Sequence, residues 1–220
     1  MIIAIDGVAG AGKSTVAKEI SKRTGFYSLN SGAIFRTVAL AFTLQENKEI
    51  SEKNLKKILK KIKIEIKFAN NSQQTLLNGK VVDDKIHTAD ISEITSKISQ
   101  LKCVRSLVLK IQRKASKQND LVVEGRDIGT TVFPKAKLKI FLTADPKERA
   151  KRRLKELEEK GEKHTLSEIT QQIIKRDKLD ETRKISPLRC AKDAIKIDTT
   201  KMTILEVTDE ILKNLNKKEK

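Results

Sequence analysis

Tryptophan is absent, aromatic residues make up 3% of the chain, and histidine and cysteine occur twice each. So few aromatics leave little on which unstacked bases could lie, which argues against a dedicated binder of single-stranded nucleic acid. His87 and His164 stand alone and far apart. They supply neither a metal-ligand cluster nor a Ser-His-Asp arrangement, and both are expected on the surface. Cys103 and Cys190 lack paired spacing, which leaves no disulfide framework and no zinc site, only two packing thiols of the kind usually found buried. No apolar run approaches the roughly 20 residues that span a bilayer, and the N-terminus shows no signal-type segment. The expectation is a soluble, cytoplasmic protein.

Positive charge, by contrast, is plentiful: 47 Lys and Arg oppose 29 Asp and Glu, a net +18 over 220 residues. That balance suits an anionic partner, whether nucleic acid, membrane surface or nucleotide phosphate, and cannot choose among them. Much of the excess is Lys on amphipathic helices and at the tail (Lys217, Lys218, Lys220), where a solvated face is the ordinary reading. The length accommodates one α/β domain carrying an inserted lobe.

Along the chain, Ile2 to Asp6 is a short apolar run that enters a Gly-rich loop, and Ser14 to Arg23 has helical spacing. Further apolar runs at Phe26–Leu29, Leu121–Val123, Leu138–Leu142 and Ala194–Ile197 read as buried strands, giving a five-stranded parallel sheet with helices on both faces. Ile64 to Phe68 alternates with period two. Polar residues 69–72, then Thr75–Leu77, Asn78-Gly79 and Lys80–Val82 complete a small antiparallel meander. It lies between helical stretches at about 51–62 and 90–118, so residues near 63–87 form the centre of an inserted lobe within a single domain. Ala144 to Lys160 is a charged helix, broken at 161–165 before a second helix to about Arg183; this hairpin reads as a lid at about 148–165.

The strongest chemical signal is Gly7-Val8-Ala9-Gly10-Ala11-Gly12-Lys13-Ser14, followed by Thr15, which is a phosphate loop in its required setting between strand and helix. Backbone N–H groups and the helix N-terminus cradle phosphate, Lys13 reaches the β/γ oxygens, and the Ser14 hydroxyl suits Mg²⁺ accompanying ATP. Ser14 as a helix cap is compatible with that role. A second signal is arginine where a solvated cation could be lysine: Arg36, Arg105, Arg126, Arg149, Arg152, Arg153, Arg176 and Arg183. Arg126 follows a strand in Glu124-Gly125-Arg126-Asp127-Ile128-Gly129, where open α/β sheets bind ligands. The structural alternative is a local ion pair with Asp127 or Glu124. The lack of a general base also fits phosphoryl transfer to a phosphate, which is already largely dianionic at pH 7 when its second pKa is about 6. Such a transfer needs charge neutralisation instead.

Several separated segments resemble the bacterial cytidylate kinases over nearly the whole chain. Asn30-Ser-Gly-Ala-Ile-Phe-Arg36 is similar to that family's acceptor segment, Glu124 through Pro134 to its central signature, Glu148 to Arg153 to its lid, and Arg176 to Arg183 with Ser186-Pro187-Leu188 to its last acceptor motif. The resemblance implies that Arg36, Arg126 and Arg183 handle acceptor phosphate beside Ser31, with Arg176 near phosphate or sugar. It implies that Asp180 accepts from ribose hydroxyls, and that Ser96, Arg105 and Asp127 read the cytosine edge. Lys13, Arg126, Arg183 and the lid's Arg152 form the implied catalytic set. The chain departs from the family's usual Asp, Tyr and Arg at Asn30, Phe35 and His87.

The expected reaction is ATP + CMP (or dCMP) giving ADP + CDP (or dCDP), with Mg²⁺, by a monomer that engages neither membrane nor nucleic acid. Two rivals stay open at this stage: a small P-loop kinase with another acceptor, and a P-loop protein that binds nucleic acid through its charge.

Overall fold

The computed structural model describes residues 1–45, 49–69, 71–159 and 161–218. Asn70 of the expected turn, Lys160 as the expected helix end and Lys220 of the basic tail lie outside the described residues.

Strand β1 (Ile2–Gly7) is central. It pairs in parallel with β6 (Leu121–Glu124) on one side and β7 (Leu138–Thr143) on the other. β2 (Tyr27–Asn30) adds outside β6 and β8 (Ile195–Asp198) outside β7, which completes the five parallel strands expected. Both faces are buried, so β1 is apolar at every position up to Asp6: Ile3 and Ile5 face one layer, Ala4 the other. The first layer holds α1 (Lys13–Thr24) and α8 (Ile204–Lys217), packed through Val16, Ile20, Val207, Ile211 and Leu215. The second holds α2 (Ser31–Thr43), α3 (Glu52–Lys61), α4 (Ala89–Ile98) and α5 (Lys102–Ala115).

The sheet runs further than five strands. β3 (Ile64–Ala69), β4 (Ser72–Leu77) and β5 (Lys80–Val81) form the antiparallel meander. β4 bridges β2 in parallel at Ser28 and Ser72, so one eight-stranded sheet results, in the order β3-β4-β2-β6-β1-β7-β8 with β5 on β4. A stack of Tyr27 on Phe68, with centroids 4.7 Å apart, reinforces that seam. The helical stretch expected at 90–118 is two helices. Ser99 ends α4 by donating its N–H to Thr95, and Leu101 is extended before α5 starts. No Gly or Pro marks the break. The charged hairpin is α6 (Pro146–Glu158) and α7 (Leu166–Thr182), joined over their own apolar cluster of Ala150, Leu157, Ile169 and Ile173. α7 opens with a reciprocal Thr165–Glu168 capping box.

Cys190 departs from the packing-thiol reading: it is exposed in the linker before β8, while Cys103 is half-buried at the start of α5. His87 and His164 are exposed. No helix among the described residues is long and apolar enough to cross a membrane.

Candidate active site

Because the five core strands are parallel, their carboxyl ends share one edge, and β1, β2, β6 and β7 all deliver functional segments there. The phosphate loop leaves β1 at Gly7, whose φ of 148° and 2.0 Å approach of a would-be Cβ to the Leu142 carbonyl admit no side chain. α1 follows with no side-chain cap on Gly12, so among the described residues no side chain takes its first N–H groups, whereas α2, α3, α4, α6, α7 and α8 are each capped by their N-cap side chain and α5, uncapped at Leu101, gives its Cys103 N–H to Glu52. Ser14 and Thr15 are exposed on that first turn. The Lys13 ammonium folds back to the Val8 carbonyl at 2.6 Å. Burial first, then the charge of Arg126, pushes this lysine down to about 7 against the pull of Glu124 and Asp180.

Two buried carboxylates at strand ends, neither given a role by the sequence, organise this edge. Asp6, at the end of β1, accepts the N–H groups of Ile128 and Gly129 at 2.7 Å each, pinning the turn that follows Arg126 and Asp127 to the phosphate-loop strand. Burial pushes its carboxyl up to about 6, with those two hydrogen bonds opposing. Glu124, buried at the end of β6, accepts from Asn30 Nδ2 at 2.7 Å. The same Asn30 caps α2 by accepting from Ala33 N–H at 2.9 Å, and its own N–H goes to Gln73 of β4 at 2.8 Å. An Asp at position 30 could cap α2 but could not donate to Glu124. The side-chain amide therefore removes a like-charge contact and ties α2 to β6, while the backbone N–H of the same residue ties the lobe.

α2 then presents Ser31, buried, and Arg36. Arg36 Nε is buried without a hydrogen-bond partner among the described residues. Burial, with help from Arg176, Arg126 and Arg153 and against Glu124, lowers its guanidinium to about 10. A buried donor with no protein partner, set among repelling cations, has the chemistry to take an anion. Arg176 of α7 is lowered too, by burial first and then by Arg126. Arg126 pairs with neither of its expected local partners: its Nε donates to Asp180 at 2.9 Å. Asp180 also faces Arg183 at 3.6 Å. Burial would raise the Asp180 carboxyl, but Arg126, Arg176 and Arg183 hold it below its ordinary range.

Asp127 bonds Arg105 and, at 3.4 Å, Arg183. Arg105 also donates to the Ser99 carbonyl at 3.1 Å, and its guanidinium lies 5.6 Å from the Phe35 ring centroid, a contact that needs no tyrosine hydroxyl. Ser96 sits half-buried on α4, one turn before Ser99.

The arginines of α6 diverge. Arg152 turns to the β8–α8 connection, with Nη2 on the Thr199 carbonyl at 2.6 Å, while Thr199 Oγ1 reaches Ala11 of the phosphate loop at 3.4 Å. Arg153 is the one whose charge bears on Arg36 and Arg176, although its side chain also bonds Glu156 at 2.9 Å. Arg149 is buried under the loop. Within the loop, the Ala9 N–H is turned to Asp177 at 3.0 Å, which leaves the nest to the N–H groups that follow.

The cytidylate kinase family model matches residues 3–217. A cytidylate kinase of Carboxydothermus hydrogenoformans is 45% identical over 99% of this chain and 98% of its own length, and one of Thermosipho melanesiensis is 46% identical over 98% and 97%. Among solved structures, an uncharacterized protein from Eubacterium ventriosum superimposes with a TM-score of 0.51 at 15% identity over 98% of both chains, a likeness in fold alone. With the family's model matched from the first strand to the last helix, and relatives this similar end to end, the chain belongs to the cytidylate kinase family.

Proposed function

We propose that this protein transfers the γ-phosphate of ATP to CMP or dCMP, giving ADP and CDP or dCDP. The observation that carries this reading is the buried, unpartnered Nε of Arg36 under the charges of Arg126 and Arg176, two arginines that also bear on Lys13 at the start of α1. Two phosphates brought together here repel, and these cations offset that repulsion. Lys13 leaves the Val8 carbonyl for the β/γ oxygens. Arg36, Arg126 and Arg183 hold the acceptor phosphate, with Arg176 at the phosphate or sugar and Asp180 free to turn to the ribose hydroxyls. No side chain removes a proton, because the attacking oxygen is already ionised. Mg²⁺ accompanying ATP would supply further positive charge to offset that of the phosphates. Ser14, exposed on the first turn of α1, and Glu124, held by Asn30 and facing Lys13, have the oxygen chemistry to hold it.

Ser96, Arg105 and Asp127 read the cytosine edge: its amino group needs an acceptor, and its ring nitrogen and carbonyl need donors. The lobe near 63–87 with its flanking helices shapes the nucleoside pocket, and the segment at about 148–165, at the tip of the α6–α7 hairpin and away from the Asp177 end of α7, acts as the lid that excludes water. Arg152 completes the donor side. In this reading one chain holds both nucleotides, which supports a monomer with nucleotides as its anionic partners, working in the cytoplasm.

The base site has a direct test in calorimetry. Arg105→Ala is expected to weaken CMP binding by about 10²-fold and to narrow the preference for CMP over UMP, since a site built to hydrogen-bond loses most when a donor is removed. ATP affinity should stay within about threefold of wild type. Unchanged CMP affinity and preference in the variant would place the base elsewhere.

A further inference from the structure

One residue of the phosphate loop, Ala9, is gripped through both its flanking peptide groups by a single ion pair. Asp177 Oδ1 accepts the Ala9 N–H at 3.0 Å, and Arg149 Nη1 donates to the Ala9 carbonyl at 2.9 Å. The same Nη1 meets Asp177 Oδ2 at 2.5 Å, and Arg149 Nε donates to the Ala144 carbonyl, just beyond β7, at 2.9 Å. Both side chains are buried, at 4% and 11% exposure. The stem of Arg149 also runs against the loop: a Cβ on Gly10 would come within 3.1 Å of Arg149 Cβ.

A buried ion pair is a poor stabiliser, because desolvation offsets most of its attraction and a well-packed apolar pair often does as well. What this pair supplies that apolar residues could not is direction. It bonds the two polar groups flanking one loop residue, so the orientation of Ala9 is fixed from beneath and the next N–H groups are presented upward. It also ties that loop to α7, the helix that carries Arg176 and Asp180 and ends at Arg183. Donor and acceptor phosphates are held by these two elements, and a misplacement of about 1 Å between them can cost about 10²-fold in rate.

We infer that Arg149 and Asp177 are positioning residues for the transfer: they hold the peptide groups on both sides of Ala9 and set the phosphate loop at a fixed place relative to α7. They touch neither nucleotide. The inference rests on the ATP-to-CMP reading above, and wild-type turnover measured alongside separates a failure of that reading from a failure of this one.

The decisive variant is Arg149→Met with Asp177→Leu, an apolar replacement that leaves no buried charge. Melting temperature, kcat with CMP, and calorimetric affinities for an ATP analogue and for CMP alone are measured. The expected result is melting close to wild type, kcat lower by about 10²-fold, ATP-analogue affinity weaker by about tenfold, and CMP affinity in the absence of ATP within about threefold of wild type. A merely structural pair predicts the opposite split, a changed melting temperature with wild-type kcat per folded molecule, and that result overturns the inference. If the double variant does not fold, Arg149→Lys decides alone. Its single ammonium keeps a charge opposite Asp177 but cannot serve Asp177, the Ala9 carbonyl and the Ala144 carbonyl together. Its kcat should fall at least tenfold with a raised KM for ATP, and wild-type values for both refute the proposal.

Discussion

Replacing Arg126 with alanine is expected to lower kcat for CMP by about a thousandfold while the melting temperature moves by only a few degrees. Arg126 stands between the two halves of the site. Its charge depresses Lys13 on the donor side and reaches Arg36 and Arg176 on the acceptor side, and its Nε holds Asp180. Asp180 thus holds the guanidinium that the proposed transfer assigns to the acceptor phosphate. Removing the arginine leaves Asp180 with Arg183 at 3.6 Å, so no buried carboxylate is orphaned and the fold survives. The loss should fall mainly on kcat, because the charge that Arg126 offsets grows as the phosphates approach. Arg126→Lys should recover little, since an ammonium cannot reproduce the bidentate fork. Steady-state kinetics on both variants checks this, and a lysine variant near wild-type rate would contradict it.

Lys13→Met carries the second large effect, about 10³-fold or more in kcat/KM, and it has a pH signature. In the free enzyme Lys13 sits at about 7, lowered by burial and by Arg126. ATP oxygens favour the ammonium, so binding raises that value, and a proton is taken up wherever the pH lies above about 7. ATP affinity should therefore weaken as pH rises from 7 to 9. Titrations at pH 8 in buffers of different ionisation enthalpy should show uptake of most of one proton, which fades at pH 6 and is absent in Lys13→Met. Equal heats in the two buffers at pH 8 would mean that Lys13 is already fully charged before ATP arrives.

Much of this site is legible in the sequence because its parts are local. The phosphate loop needs glycines at fixed spacing between a strand and a helix, and the four other parallel strands are short apolar runs because the sheet is buried on both faces. The acceptor arginines stand out as arginine in a lysine-rich chain. What escaped reading is relational. Asp6 looks like an ordinary strand end until its carboxylate is seen holding Ile128 and Gly129 across 122 and 123 residues. Arg149, Arg152 and Arg153 are neighbours on one helix, yet face the loop underside, the β8–α8 connection and the acceptor cluster. Only helix phase and packing separate them. The partner of Arg126 lies 54 residues away rather than beside it. α8 was also unread, although Thr203 and Glu206 form a capping box just ahead of Val207, Ile211 and Leu215. Asn30 reads as a lost charge by itself and becomes a bridge once Glu124 and Gln73 are placed around it.

The most direct test of the central claim is ADP release by the wild-type enzyme with ATP and Mg²⁺ against CMP, dCMP, UMP, AMP, GMP and dTMP, with the nucleoside diphosphate product identified in each case. CMP and dCMP should lead the panel, with CDP or dCDP formed in step with ADP and little ADP released without an acceptor. A purine monophosphate in the lead, or ADP release that no monophosphate accelerates, would contradict the account.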